Sequence, residues 1–387
     1  MLLSLVQPDN DYSNGERLWC IETHTSGQPT RIVYGGWPSM AGTLVEQRQQ
    51  AVTKYDYLRR RLILEPRGHW EMYGAALRPV TELTEPGEAD IGVLFMHNQG
   101  FSMMCGHATL ALGRFIVDYH EDILPPGKQL QYNAHDHTVT VRLHVPAGIV
   151  PITVPVDPKT HKTDLKRTIA FNSVPSYASG HGIEVTVGPS HRWPELGDRE
   201  KVHIDFSFGG VFYGIVTPKE LGFEEPLQRS EALISRMKFA AARLKEWVNS
   251  QASLQHYIKR PADESGQIYS ILYVEQGQEE DLGLCVFADG QIDRSPTGGG
   301  VAARVALAHS KGQMRVGDSH RYQSLLTRDH AGMGSFCGTV DAEVQSEGHQ
   351  AVTVRVEGTA LYTGLHVLVC EPEDVVAKEG FSLFTSR

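Results

Sequence analysis

Cysteine is scarce in this chain: five thiols in 387 residues, at Cys20, Cys105, Cys285, Cys337 and Cys370. An odd, scattered set in a chain this long is not a disulfide framework. There is no CxxC pair and no His/Cys cluster with zinc spacing, so a metal is not expected. The nearest approach, His135-Asp136-His137, lies in a polar turn before a strand and reads as turn chemistry. No apolar run approaches the ~20 residues of a membrane span. Met1 to Asn14 lacks a basic leader and a long apolar core, so a secretory signal is not expected and a cytoplasmic setting is the default. Basic charge is also short, with 36 Lys and Arg against 46 Asp and Glu and a formal net charge of -10. That balance argues against nucleic acid, which needs a basic face.

What is present is the profile of a globular chain, 41% hydrophobic and 21% charged, long enough for two domains. Three elements recur in the same order. The strand-like run Ile91 to His97 leads through a loop to Cys105 and an apolar segment ending near Val117. The run Leu282 to Ala288 leads through a loop to Thr297 and an apolar segment ending near Ala308. Gly92 lies 13 residues before Cys105 and Gly283 lies 14 before Thr297. The alternating runs Thr138 to Leu143 and Ala351 to Val356 follow the two segments. The β-rich runs Thr30 to Gly36 and Phe208 to Val216, each with paired glycines, precede them.

Behind Cys105, apolar residues fall at Ala108, Ala111, Leu112, Phe115 and Ile116, with Leu110 and Val117 on the other side. Behind Thr297, Val301, Ala302, Val305, Ala306 and Leu307 do likewise. A short helix that is apolar nearly all round must be buried on all sides, most simply by wrapping a curved sheet around it. The expected fold is therefore two similar α/β domains, each a sheet enclosing a central helix, divided near Trp193 to Asp198 into residues 1–198 and 199–387. The last residues are expected to be able to pack back on the first half. Glu231 to Tyr257 reads as a separate amphipathic helix whose Lys and Arg face is solvated.

The two helix starts carry the chemistry. A helix N-terminus holds unsatisfied N–H groups and partial positive charge, a ready site for a carboxylate. Both starts are expected at the cleft between domains, with Cys105 facing Thr297. Gly106 and Gly298 let a ligand approach the backbone. The same field favours a thiolate at Cys105, which can act as nucleophile or proton-abstracting base. Taken alone, Cys105 would more often be a small buried hydrophobe; the Gly-His that follows it and the matching start at Thr297 reverse that weighting. Cys20, Cys285 and Cys370 sit inside strand-like runs and read as core. Asp293, four residues before Thr297, suits a ligand amine, and Pro296 fixes the chain entering the helix. His107 can orient a ligand or serve as a structural histidine.

Met104-Cys105-Gly106-His107 and Asp293-Arg-Ser-Pro-Thr-Gly-Gly-Gly300 resemble the two signature motifs of the proline racemase family. His24 to Arg31, Phe208 to Tyr213 and Glu357 to Gly364 fit the same resemblance, which spans Ile21 to Phe381. It implies the diaminopimelate-epimerase-like fold, with two pseudo-symmetric halves of mostly antiparallel sheet around a helix. It implies no cofactor and no metal, and a small cyclic amino acid as partner, with no nucleic acid and no membrane; it admits a homodimer. Racemases and epimerases of the family use two cysteines, one per motif. Here the first is Cys105 and the second is replaced by Thr297, whose hydroxyl is too weak an acid to return a proton as a thiol does. The Cys/Thr branch resembles trans-3-hydroxy-L-proline dehydratase, in which Cys105 would take the α-proton and the 3-hydroxyl would leave as water. The product would be Δ2-pyrroline-2-carboxylate, tautomerising to the Δ1 form. Thr297 would hold the substrate or a water, or help the hydroxyl leave. Gly106, His107, Gly298 and Gly299 would contact substrate and Asp293 its ring nitrogen. The alternative is a residual proline racemase or 4-hydroxyproline 2-epimerase. Gly299 stands where the family more often has threonine, which bears on substrate preference.

Overall fold

The computed structural model describes residues 4–6, 16–260 and 266–383; most of the Met1 to Asn14 segment lies outside them. The chain forms two compact units, residues 1–171 with 358–387, and residues 172–357.

The first unit begins with β1 (Arg17–Thr25) and β2 (Gln28–Gly35). They form a hairpin whose two-residue loop, Ser26 and Gly27, has positive φ at both positions (52° and 89°), the geometry that matches strand twist. Helices α1 (Leu44–Lys54) and α2 (Asp56–Ile63) follow, then β3 (Gly74–Arg78), β4 (Ile91–Met96), α3 (Gly106–Asp118), β5 (Thr138–Val145), β6 (Gly148–Pro155) and β7 (Ile169–Asn172). The second unit holds β8 (Tyr177–Thr186), β9 (Lys201–Phe208), β10 (Phe212–Val216), α4 (Glu231–Ser250), β11 (Ile268–Glu275), β12 (Glu280–Phe287), α5 (Gly298–Ser310), β13 (Ser319–Ser324), β14 (Phe336–Ser346) and β15 (His349–Gly358). The chain then returns to the first unit with β16 (Ala360–Val369), which pairs with β1.

The two units are built to one plan. The first runs β16-β1-β2-β3-β4-β5-β6-β7, with successive pairings antiparallel, antiparallel, parallel, antiparallel, parallel, antiparallel, antiparallel. The second runs β8-β9-β10-β11-β12-β13-β14-β15 with the identical series. Each sheet wraps a central helix of 13 residues. Every residue of α3 is buried, as are Gly298 to Leu307 of α5. Close approach is made by glycine: a Cβ on Gly113 would come within 2.5 Å of Ile152, and one on Gly338 within 2.7 Å of Val301.

The recurring spacing before Cys105 and Thr297 now has a structural cause. After β4 the chain turns and Phe101–Ser102 pairs back on Phe95 and Met96 before α3. After β12, Gln291–Ile292 pairs back on Val286 and Phe287 before α5. The run at Thr30 and the one at Phe208 also fall in equivalent strands, β2 and β10. The alternating runs do not: β5 is equivalent to β13, and β15 to β7. Alternation marks any half-buried strand and carries no information on which one it is.

The boundary differs from the sequence expectation. Trp193 to Asp198 lies inside the second unit, joining β8 to β9, which pair antiparallel through Thr186 and Lys201. Turn-forming residues mark a reversal between neighbouring strands as readily as a domain border. The tail groups with the first unit, where Glu65 and Phe381 exchange backbone hydrogen bonds and Arg67 donates to the carbonyls of Val369 and Ala377. His135 and Asp136 are exposed in the turn before β5. Among the described residues no group of three or more His, Cys, Asp or Glu is placed to hold a metal ion, and no helix is long and apolar enough to cross a membrane.

Candidate active site

Each central helix starts at a residue singled out from the sequence. Cys105 is the N-cap of α3 and Thr297 the N-cap of α5. An N-cap normally spends its side chain on the orphan N–H groups of the first turn. The two other long helices obey this: Thr43 caps α1 in a reciprocal box with Glu46, and Ser230 caps α4. Neither Cys105 nor Thr297 caps its helix with a side-chain hydrogen bond to the first-turn backbone. Their carbonyls serve the helix, accepting from Thr109 N–H at 3.0 Å and Val301 N–H at 2.7 Å. Both residues are 8% exposed.

In the first unit Cys105, Gly106 and His107 are together. The Cys105 Sγ lies 3.2 Å from His107 Nδ1. The buried His107 is held by residues that sequence reasoning did not single out. Thr25, just before the hairpin turn, donates to the His107 carbonyl at 2.9 Å. Tyr73 meets the His107 ring edge to face at 4.8 Å, and its own hydroxyl bonds Ser102 at 2.5 Å. The His24 motif thus has a structural purpose. The hairpin turn it forms brings Thr25 under the first turn of α3. Burial holds His24 itself below the ordinary histidine value, and its Nδ1 accepts the Gly27 N–H.

In the second unit Asp293, Thr297, Gly298 and Gly299 are together. Asp293 Oδ1 accepts from Ser295 N–H at 2.8 Å, and Ser295 Oγ accepts from Thr297 N–H at 3.1 Å. This clasp holds Thr297 at φ 66° and ψ 92°, a conformation uncommon for any residue but glycine and an outlier for a β-branched one. The loop rests on β12, where Asp293 N–H donates to the Cys285 carbonyl at 3.1 Å. The Cys285 side chain is buried. Burial, reinforced by the Asp293 carboxylate, pushes that thiol up to about 12. The paired glycines after Phe208 are explained by α5. A Cβ on Gly209 would lie 2.1 Å from the Gly299 carbonyl, and one on Gly299 would lie 2.6 Å from the Tyr213 hydroxyl. No pattern in the sequence marks Ser295 as the partner of Thr297, Cys285 as that of Asp293, or Tyr213 as the neighbour of Gly299.

Chemically, the first unit offers a thiol paired with an imidazole at a helix start, and the second a hydroxyl at the equivalent start. The uncapped first-turn N–H groups of both helices are donors suited to an anion.

The proline racemase family pattern matches residues 20–382. The chain is 35% identical over 384 residues to the trans-L-3-hydroxyproline dehydratase of Mus musculus, covering 97% of each chain. It is 35% identical over 370 residues to the trans-3-hydroxy-L-proline dehydratase of Homo sapiens, covering 94% of each. It is 30% identical over 359 residues to the enzyme so named in Bacillus cereus, covering 92% of this chain and 95% of that one. Among solved structures, a hydroxyproline epimerase from Agrobacterium vitis with bound trans-4-hydroxy-L-proline superposes with a TM-score of 0.76. It is 20% identical and covers 95% of this chain and 96% of that one. A probable proline racemase from Agrobacterium radiobacter matches with the same score at 22% identity, covering 95% and 96%. At these identities the two structures speak to the fold alone.

Proposed function

Because the chain belongs to the proline racemase family, we propose that it dehydrates trans-3-hydroxy-L-proline, with Cys105 as the base and Thr297 in place of a second acid. The observation that carries this reading is the unequal pair of N-caps. The two helix starts are structurally equivalent, yet one bears a thiol and the other a hydroxyl. A thiolate can remove an α-proton; a threonine hydroxyl cannot return one to the opposite face.

By the family resemblance Gly106, His107, Gly298 and Gly299 would contact the substrate, whose carboxylate suits helix-start N–H groups. His107, 3.2 Å from the Cys105 sulfur, is placed to pair with the thiolate. Asp293, anchored through one oxygen to Ser295 N–H, suits the ring ammonium. Cys105 takes the proton from C2, the electron pair forms the C2–C3 double bond, and the C3–O bond breaks. The departing hydroxide gains a proton and leaves as water. The enamine, Δ2-pyrroline-2-carboxylate, tautomerises to Δ1-pyrroline-2-carboxylate. The relatives carrying the dehydratase name support this substrate.

Purified protein, without added cofactor or metal, is expected to convert trans-3-hydroxy-L-proline to a product that reacts as a cyclic imine, and Cys105→Ser to abolish the conversion. Folded protein that yields no imine would sink the reading. Exchange of the α-proton with inversion on L-proline or 4-hydroxyproline would instead favour racemase or epimerase chemistry.

A further inference from the structure

Hydroxide is a poor leaving group, so the C3–O bond of a hydroxyproline breaks readily only if the oxygen is protonated as it departs. The stereochemistry of the proposed substrate fixes where that proton must come from. In trans-3-hydroxy-L-proline the hydroxyl lies opposite the carboxylate. The α-hydrogen also lies opposite the carboxylate, so hydrogen and hydroxyl share one face of the ring, on neighbouring carbons. The acid must therefore stand beside the base, on the same side of the substrate.

The first unit holds such a pair. Cys105 Sγ lies 3.2 Å from His107 Nδ1 and 3.7 Å from its Nε2. The two residues are 8% and 3% exposed, so bulk water is a poor proton source there. His107 is fixed at backbone and ring. Thr25 donates to its carbonyl at 2.9 Å, and Tyr73 meets its ring edge to face at 4.8 Å.

We propose that His107 is the catalytic acid of the dehydration: its imidazolium protonates the leaving 3-hydroxyl while Cys105 takes the α-proton from the same face. The inference rests on the dehydration reading and supplies its proton. In the resting pair the thiol proton sits on Nδ1, giving thiolate and imidazolium. The sulfur takes the proton from C2, and the C2–H electron pair becomes the C2–C3 π bond. The C3–O bond breaks with its electron pair on oxygen. That oxygen takes the Nδ1 proton and leaves as water. Cys105 is then a thiol and His107 a neutral imidazole protonated at Nε2. The thiol returns its proton to Nδ1 over 3.2 Å, which restores the pair. Each α-proton thus departs in the water of the next turnover, and protons and charge balance without an outside donor.

Changing the leaving group separates the acid from the base. Fluoride departs without needing a proton, and trans-3-fluoro-L-proline carries it on the same face as the α-hydrogen. Full-length wild type and His107→Gln are compared on the hydroxy substrate by imine formation and on the fluoro analogue by fluoride release. Glutamine keeps a polar group near the sulfur but has no ionisable proton. In His107→Gln the rate of dehydration relative to fluoride release is expected to fall at least about 100-fold, the weight of a general acid. An unchanged ratio means that His107 serves only the thiolate, and overturns the proposal. A second measurement uses wild type alone, so it does not depend on how the variant folds. cis-3-Hydroxy-L-proline has its hydroxyl on the face away from the α-hydrogen. It should compete with the trans isomer as an inhibitor yet form imine at least about 100-fold more slowly. Imine from the cis isomer at a rate within about tenfold of the trans isomer overturns the proposal. Wild type that yields no imine from the trans isomer is a different result: the dehydration reading fails, and the proposal with it.

Discussion

Thr297 stands at φ 66° and ψ 92°, while Cys105, at the equivalent helix start, stands at φ -148° and ψ 116°. The same pair of substitutions should therefore have opposite consequences at the two positions. At residue 297 the ψ lies beyond the left-handed well, which places the strain toward the upper part of the usual range, about 2.5 kcal/mol for any residue with a Cβ. Glycine releases it. Against that stand about 0.7 kcal/mol for the extra freedom of glycine in the unfolded chain and about 0.8 kcal/mol for one more buried carbon removed. Thr297→Gly should thus be more stable than Thr297→Ala by about 1 kcal/mol. At residue 105 the backbone is extended and nothing is released, so Cys105→Gly should be less stable than Cys105→Ala by about 1.5 kcal/mol. The general preference of N-caps for glycine over alanine acts at both sites and cancels in the comparison. Urea denaturation of the four variants reads the difference. Thermal midpoints should differ by about 2–4 °C per kcal/mol in a unit of this size. The same ordering at both positions, or alanine superior at 297, would refute the claim that the clasp holds Thr297 under strain.

Three further outcomes are expected. Brief iodoacetamide treatment of native protein should label Cys105 and remove activity while sparing Cys20 and Cys285, whose thiols burial pushes up, the latter to about 12; mass spectrometry finding Cys285 modified first would contradict this. Burial pushes the Lys245 ammonium down to about 8, below the unfolded value of roughly 10.4, so the unfolded chain binds more protons between these limits and stability should rise with pH across them. In Lys245→Met that rise, worth about 1–2 kcal/mol for this partly buried group, should vanish from the Tm–pH curve. Gly209→Ala would drive a methyl within 2.1 Å of the Gly299 carbonyl and 2.8 Å of the Ala303 nitrogen, both backbone atoms of α5. It should cost about 1–3 kcal/mol by calorimetry and displace the helix start with loss of turnover; an unaffected Tm would show that the loop and helix are not tightly packed.

The sequence by itself determined the duplication, the two buried central helices and the residues at their starts. These follow from local rules: apolar periodicity that surrounds a helix and glycine at a helix start. It also carried the family motifs, since those are contiguous runs. The unit boundary was not legible. The turn at Trp193 to Asp198 obeys the same turn chemistry whether it separates units or joins β8 to β9, and only strand pairing distinguishes the two. The repeated alternating runs misled for the same reason, because β5 and β15 share a pattern but hold different places in their sheets. What supports each functional side chain was also decided by tertiary structure. Thr25 reaches the His107 carbonyl across 82 residues of sequence. Gly209 fits against Gly299 because a hairpin loop and a helix start must pack backbone to backbone. Cys285 supports the loop before Thr297 through its carbonyl, which accepts the Asp293 N–H. Periodicity reports which way a side chain faces relative to its own element; which neighbour it meets there depends on how the sheet closes around the helix.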